Sequence, residues 1–133
     1  MGLQKIISSA GSAPKIMLID GDETFGKKLI AAARRMNIVI ECRTNVAEIY
    51  KDPPVEPEIL ILGYDLGRVN GLQLSEYLQA HAKANMIIVV VHGNIQKLQR
   101  RVPEAVRAII SKDAGPEHIL GMARLLFRCF KIR

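Results

Sequence analysis

Tryptophan is absent from this sequence, and only three tyrosines and three phenylalanines occur among its 133 residues. Proteins that hold single-stranded nucleic acid interleave basic residues with aromatic stacking platforms, and this composition does not supply them. Cysteine is scarce: Cys42 and Cys129 are the only two, far apart in sequence. Neither has a Cys or His neighbour at ligand spacing, and His81, His92 and His118 are scattered, so no zinc site is expected. Long apolar runs are missing too. The longest clean run, 86–91, has the length of a strand, against the roughly 20 residues of a membrane span. Near the start, Lys5 and Ile6-Ile7 lead directly into Ser8, Ser9 and Gly11. A secretory leader needs a longer apolar region there. The expectation is a cytoplasmic protein with no membrane partner and with both cysteines as free thiols.

What is present describes one globular domain. The hydrophobic fraction is 49% and the charged fraction 24%, enough apolar material for a core and too little charge density for disorder. The formal net charge is +6, which favours acidic partners in general. The basic residues are spread over 27–28, 34–35, 100–101 and 124–133. Solvated helix faces account for such a spread, and nucleic acid is not expected as a partner.

Residues 1–14 are small and polar and read as a loose tail. The run 15–19 is too short for a helix and suits a buried strand. After Asp20-Gly21-Asp22-Glu23, apolar residues recur at helical spacing over 25–36, with Thr24 as the expected N-cap. A strand over 38–42 follows, then a brief helix over 45–50 that stops before Pro53-Pro54. A strand over 59–62, a Gly- and Asp-containing loop over 63–70 and a helix over 72–82 come next. The most β-prone segment is 86–91. A weak helix over 94–101, a strand over 108–110 and a helix over 116–131 with Pro at its first turn complete the chain. Five apolar strands alternating with five helices predict an α/β fold: a doubly wound, five-stranded parallel sheet with helices on both faces. Ligands of such sheets bind beyond the carboxyl ends of the strands, next to the first and third. Chemistry should therefore be sought after Ile19 and Leu62.

Three segments carry a family resemblance: Ile16-Met17-Leu18-Ile19-Asp20 with acids following, Asn70-Gly71-Leu72-Gln73-Leu74, and Ile109-Ile110-Ser111-Lys112-Asp113-Ala114-Gly115-Pro116-Glu117. Together with the order of the elements, they resemble the receiver domain of two-component response regulators. The resemblance implies a flavodoxin-like strand order 2-1-3-4-5, a receiver-like domain over 15–133, and a role in signal transduction. An active receiver uses two adjacent acids after the first strand and an aspartate ending the third to hold Mg²⁺. The third-strand aspartate is the nucleophile. A Ser or Thr after the fourth strand and a Lys after the fifth bind the phosphoryl oxygens, and an aromatic residue on the fifth strand follows the switch.

Carried over position by position, that pattern breaks. Asp20 matches the first acid, but Gly21 stands at the second, with Asp22 beyond it. The nucleophile position falls on Gly63, the hydroxyl position on Val91 and the aromatic position on Ile109; Lys112 stands where the pattern has its lysine. Mg²⁺ prefers an octahedral set of hard oxygens, so Asp20 and Asp22 between glycines are expected to hold it weakly or not at all. Lys112 is expected to neutralise Asp20 or Asp22 by pairing across the strand ends. Asp65, two residues past Gly63, is an alternative phosphoacceptor, and its simpler reading is a solvated loop acid. The 63–71 loop has three glycines but lacks a P-loop's Lys-Ser/Thr ending and shows no helix cap behind it.

The expected function is a pseudo-receiver: a protein-interaction module, not an enzyme, with no cofactor. Its partner would be a histidine kinase, another receiver or a separate output protein. The alternatives are a functioning phosphoacceptor using Asp65 or Asp20 and a small-molecule or nucleotide binder in the same crevice. The last helix has an apolar arc roughly 220° wide, more than one sheet covers. Ile119, Ala123, Leu126 and Phe130 are expected to face the sheet. Leu120, Leu125 and Phe127, with Arg124 and Arg128, then form a candidate interaction face. The resemblance adds that receivers commonly pair through their fourth and fifth helices, which suggests a homodimer.

Overall fold

Three strands are apolar throughout because both of their faces are covered. In the computed structural model, which describes residues 14–54, 57–81, 86–93 and 102–131, β1 (Ile16–Ile19), β3 (Ile59–Gly63) and β4 (Met86–Val91) are buried at every position. β2 (Ile40–Arg43) and β5 (Val106–Ser111) flank them and bury their residues less completely, as edge strands do. All pairings are parallel and the order is β2-β1-β3-β4-β5. This is the doubly wound architecture that the sequence predicts. One side of the sheet is covered by α1 (Glu23–Arg35) and α4 (Pro116–Lys131), the other by α2 (Val46–Lys51) and α3 (Gly71–His81). The predicted helix over 94–101 lies outside the described residues, as does nearly all of the predicted tail. Pro14, assigned to that tail, is buried. Among the described residues, no helix is long and apolar enough to cross a membrane.

Several boundaries differ from the sequence reading for local reasons. The N-cap of α1 is Asp22, not Thr24: its carboxylate accepts from Phe25 N at 3.1 Å. A carboxylate two residues before Thr24 satisfies the orphan N–H and also complements the helix dipole. At the other end Asn37 adopts φ 56°. Asn37 N then donates to Arg34 O at 3.2 Å and Ile38 N to Ala33 O at 2.8 Å, a Schellman ending. Ile38 is thus part of the helix stop, and β2 begins only at Ile40. β5 is longer than predicted and runs from Val106, because a register shift opposite Ile87 and Ile88 absorbs Arg107, as a bulge at a sheet edge does.

The last helix faces the core along a different line from the one expected. Ile119, Leu120, Ala123 and Phe127 are buried, whereas Met122 and Leu126 are only partly covered. The helix packs against α1 as well as the sheet, so its covered sector is wider and rotated. Leu120 and Phe127 therefore belong to the core and leave the proposed interaction face. Leu125 remains 55% exposed, with Arg128 exposed and Arg124 half-buried beside it.

Candidate functional site

The β1–α1 connection brings two carboxylates to the top of the sheet. Asp20 follows β1 directly and is held by its backbone, Asp20 N donating to Arg43 O at 3.0 Å. Its side chain is buried. Oδ1 accepts from Asp22 N at 3.0 Å, and Oδ2 lies 2.7 Å from Lys112 Nζ. That second contact is ionic and poorly aligned, since Oδ2 has no hydrogen-bond partner. Both side chains are withdrawn from water, with exposures of 8% for Lys112 and 2% for Asp20. The ammonium also sits 4.6 Å from the centre of the Phe25 ring, a cation–π position. The pairing of Lys112 expected from the sequence is present in the structure, with Asp20 as its nearer partner.

Gly63 closes the arrangement from below. A Cβ built on it would lie 2.5 Å from Asp20 Cγ and 2.6 and 2.8 Å from the two carboxylate oxygens. The Asp20 carboxylate thus occupies the space where any side chain on residue 63 would begin. Gly21, by contrast, has nothing within 4 Å of its notional Cβ.

Asp22 serves the helix and the corner together. Oδ1 caps α1, while Oδ2 is 3.3 Å from Lys112 Nζ and 3.5 Å from His92 Nε2. The Phe25 N–H holds its carboxyl below the usual aspartate range, Lys112 and His92 add to this, and desolvation works against it. Sequence reasoning does not reach His92, because it stands immediately after β4 with no metal-ligand spacing to mark it and its contact with Asp22 is made through space. Val91 is buried at the end of β4 and pairs in register with Ser111. The Ser111 hydroxyl accepts from Asp113 N at 3.2 Å, capping the 3-10 turn Lys112–Ala114. Ile109 packs half-buried against the cluster on the α2/α3 side.

The loop after β3 is closed upon itself. Tyr64 N donates to Val90 O at 2.8 Å and Gly71 N to Tyr64 O at 2.7 Å. A Cβ on Gly71 would meet Gly63 O at 2.5 Å, so glycine is required for this close approach. Asp65 bridges to Asn70, and its carboxylate accepts from Gly67 N at 3.4 Å. Contrary to the sequence reading, α3 does have a cap. Asn70 Oδ1 accepts from Gln73 N and Gln73 Oε1 from Asn70 N, both at 2.8 Å, a reciprocal capping box. These donors serve the helix rather than a phosphate. Above the corner lies an open crevice of about 820 Å³, whose lining includes Asp22, Tyr64, Arg68, Asn70, Val91 and His92.

Few carboxylate oxygens at the corner are free of other contacts. Asp20 is engaged by an ammonium, one oxygen of Asp22 is committed to the cap, and Gly21 and Gly63 offer no carboxylate. A cation between the two acids would have to displace Lys112, at a cost in charge repulsion. Among the described residues no group of three or more His, Cys, Asp or Glu side chains is placed to share a metal.

No protein-family model matches the chain, and no curated protein matches its sequence. Solved structures do match its shape. A response regulator receiver domain protein (CheY-like) from Methanospirillum hungatei superposes with a TM-score of 0.71 at 12% identity, over 90% of this chain and 98% of that one. A two-component response regulator from Clostridium difficile gives 0.70 at 18% identity, over 87% and 97%. A signal receiver domain from Bermanella marisrubri gives 0.65 at 21% identity, over 82% and 93%. The chain has the fold of CheY-like receiver domains.

Proposed function

We propose that this chain is a pseudo-receiver: a receiver-like module that acts in signal transduction by binding another protein, without aspartyl phosphorylation. The observation that carries this reading is the Asp20 carboxylate lying over Gly63 and paired with Lys112. Phosphoryl transfer needs a placed nucleophile with charge stabilisation around it. Here the nucleophile position has no side chain, and Lys112, the one cation at the corner's phosphoryl-binding position, is already paired with the internal Asp20 anion. Asp65 is a poor substitute, since its carboxylate is turned to the Gly67 amide of its own loop. Partners of the expected kinds are a histidine kinase, another receiver or a separate output protein. With Leu120 and Phe127 in the core, Leu125 and its flanking arginines are what remains of the expected face for a homodimer through the last helix.

The test is incubation of the full chain with Mg²⁺ and acetyl phosphate, followed by intact-mass measurement. The reading predicts an unchanged mass. A second reading, a small-molecule binder, is favoured by the crevice of about 820 Å³, which falls in the size range of ligand sites. A thermal-shift screen with nucleotides and cyclic dinucleotides checks it, and stabilisation by any of them would support it.

A further inference from the structure

The fold gathers basic residues that the sequence spreads out. α1 and α4 pack side by side on one face of the sheet. They carry six basic residues with described side chains, Lys27, Lys28, Arg34, Arg35, Arg124 and Arg128, against two acids, Glu23 and Glu117. Glu117 is committed to an ion pair with Arg35, which holds its carboxyl below the usual glutamate range. The opposite layer, α2 and α3, carries Lys51 against Glu48 and Glu76. Five of the six cations are exposed and Arg124 is half-buried.

Like charges within about a Debye length, ~8–10 Å, repel one another and weaken the compact state. The same segregation creates a field that draws an acidic surface onto this layer. Two features favour protein over nucleic acid as the occupant. Leu125, the exposed apolar residue on α4, sits beside Arg124 and about one turn from Arg128; a phosphate backbone has nothing to bury it. Among the side chains described, the layer also exposes no Phe, Tyr or Trp ring for base stacking, since Phe25 and Phe127 are both in the core.

We propose that the outer face of α1 and α4 docks an acidic protein surface that presents an apolar residue to Leu125. This names the partner chemistry of the interaction reading above and rests on it. The test uses the full chain with two fluorescent polymers, poly-L-glutamate and a random copolymer of glutamate and leucine. Both should bind, the copolymer more tightly, and binding should weaken about tenfold from low to physiological salt. The pairs Lys27→Glu/Lys28→Glu and Arg124→Glu/Arg128→Glu should each weaken copolymer binding about tenfold. Leu125→Ser should abolish the preference for the copolymer, and Lys51→Glu on the other layer should change nothing. Circular dichroism checks that each variant is folded. Failure of both polymers to bind, an equal loss with Lys51→Glu, or tighter binding of duplex DNA or phosphatidylserine vesicles would overturn the proposal. Labelling by a phosphodonor tests the pseudo-receiver reading separately, because none of these surface positions belongs to the Asp20 corner.

Discussion

The carboxylate of Asp20 stands where a Cβ of residue 63 would have to be, 2.5 Å from its notional position. The two residues come from neighbouring strands, and the absence of one side chain lets the other fold down onto Lys112. Gly63→Ala should therefore destabilise the protein by about 1–3 kcal/mol through overpacking. In a double-mutant cycle with Asp20→Ala, the two changes should be non-additive by at least ~0.5 kcal/mol. Urea unfolding of the four proteins measures both quantities.

Lys112→Met should be costlier. It leaves the buried Asp20 carboxylate without its counter-charge, a loss of about 3–5 kcal/mol for a broken buried pair. Adding Asp20→Asn should recover much of this by removing the stranded charge. Equal instability of the single and double variants in denaturant would show that the loss does not come from a stranded Asp20 charge.

Asp22 gives a pH signature. Its carboxyl is held below the usual aspartate range by the Phe25 N–H, with Lys112 assisting. A group with a depressed folded-state pKa stabilises the protein above its unfolded pKa, and that contribution is lost as pH falls through the folded value. Asp22→Asn, which keeps a capping side chain, should flatten the acid limb of the stability profile. Asp22→Ala should cost about 1 kcal/mol at neutral pH through loss of the cap. Thermal unfolding from neutral pH down into the acid range reads both.

The corrected placement of the last helix can be checked by two glutamates. Phe127→Glu puts a charge into the core, where it should lower the melting temperature severely or prevent folding. Leu125→Glu, on a side chain 55% exposed, should change stability by less than ~0.5 kcal/mol. Comparable melting temperatures for the two variants would instead support a helix facing the sheet through Ile119, Ala123, Leu126 and Phe130.

The sheet was legible because its three central strands are unbroken apolar runs, and a run such as 86–91 reads the same in sequence and in structure. Its edges were less so, since Arg107 interrupts the apolar run of β5 and the bulge that absorbs it leaves no local signal. That Gly63, Gly21 and Val91 depart from the receiver pattern was visible as residue types at fixed offsets. What a glycine at 63 does was not visible: the Asp20 carboxylate lies through space where its Cβ would be. A helical wheel drawn on the last helix alone misplaces its buried line, because it does not reveal that α1 covers the flank.

Phosphodonor labelling tests the central claim most directly. The wild-type chain and Gly63→Asp are incubated with Mg²⁺ and acetyl phosphate and their intact masses compared with untreated protein. The account predicts no phosphoryl adduct on either: the first has no nucleophile, and the second restores one of several interdependent groups while Gly21 and Val91 still lack theirs. A stable gain of one phosphoryl group by the wild-type protein would contradict it.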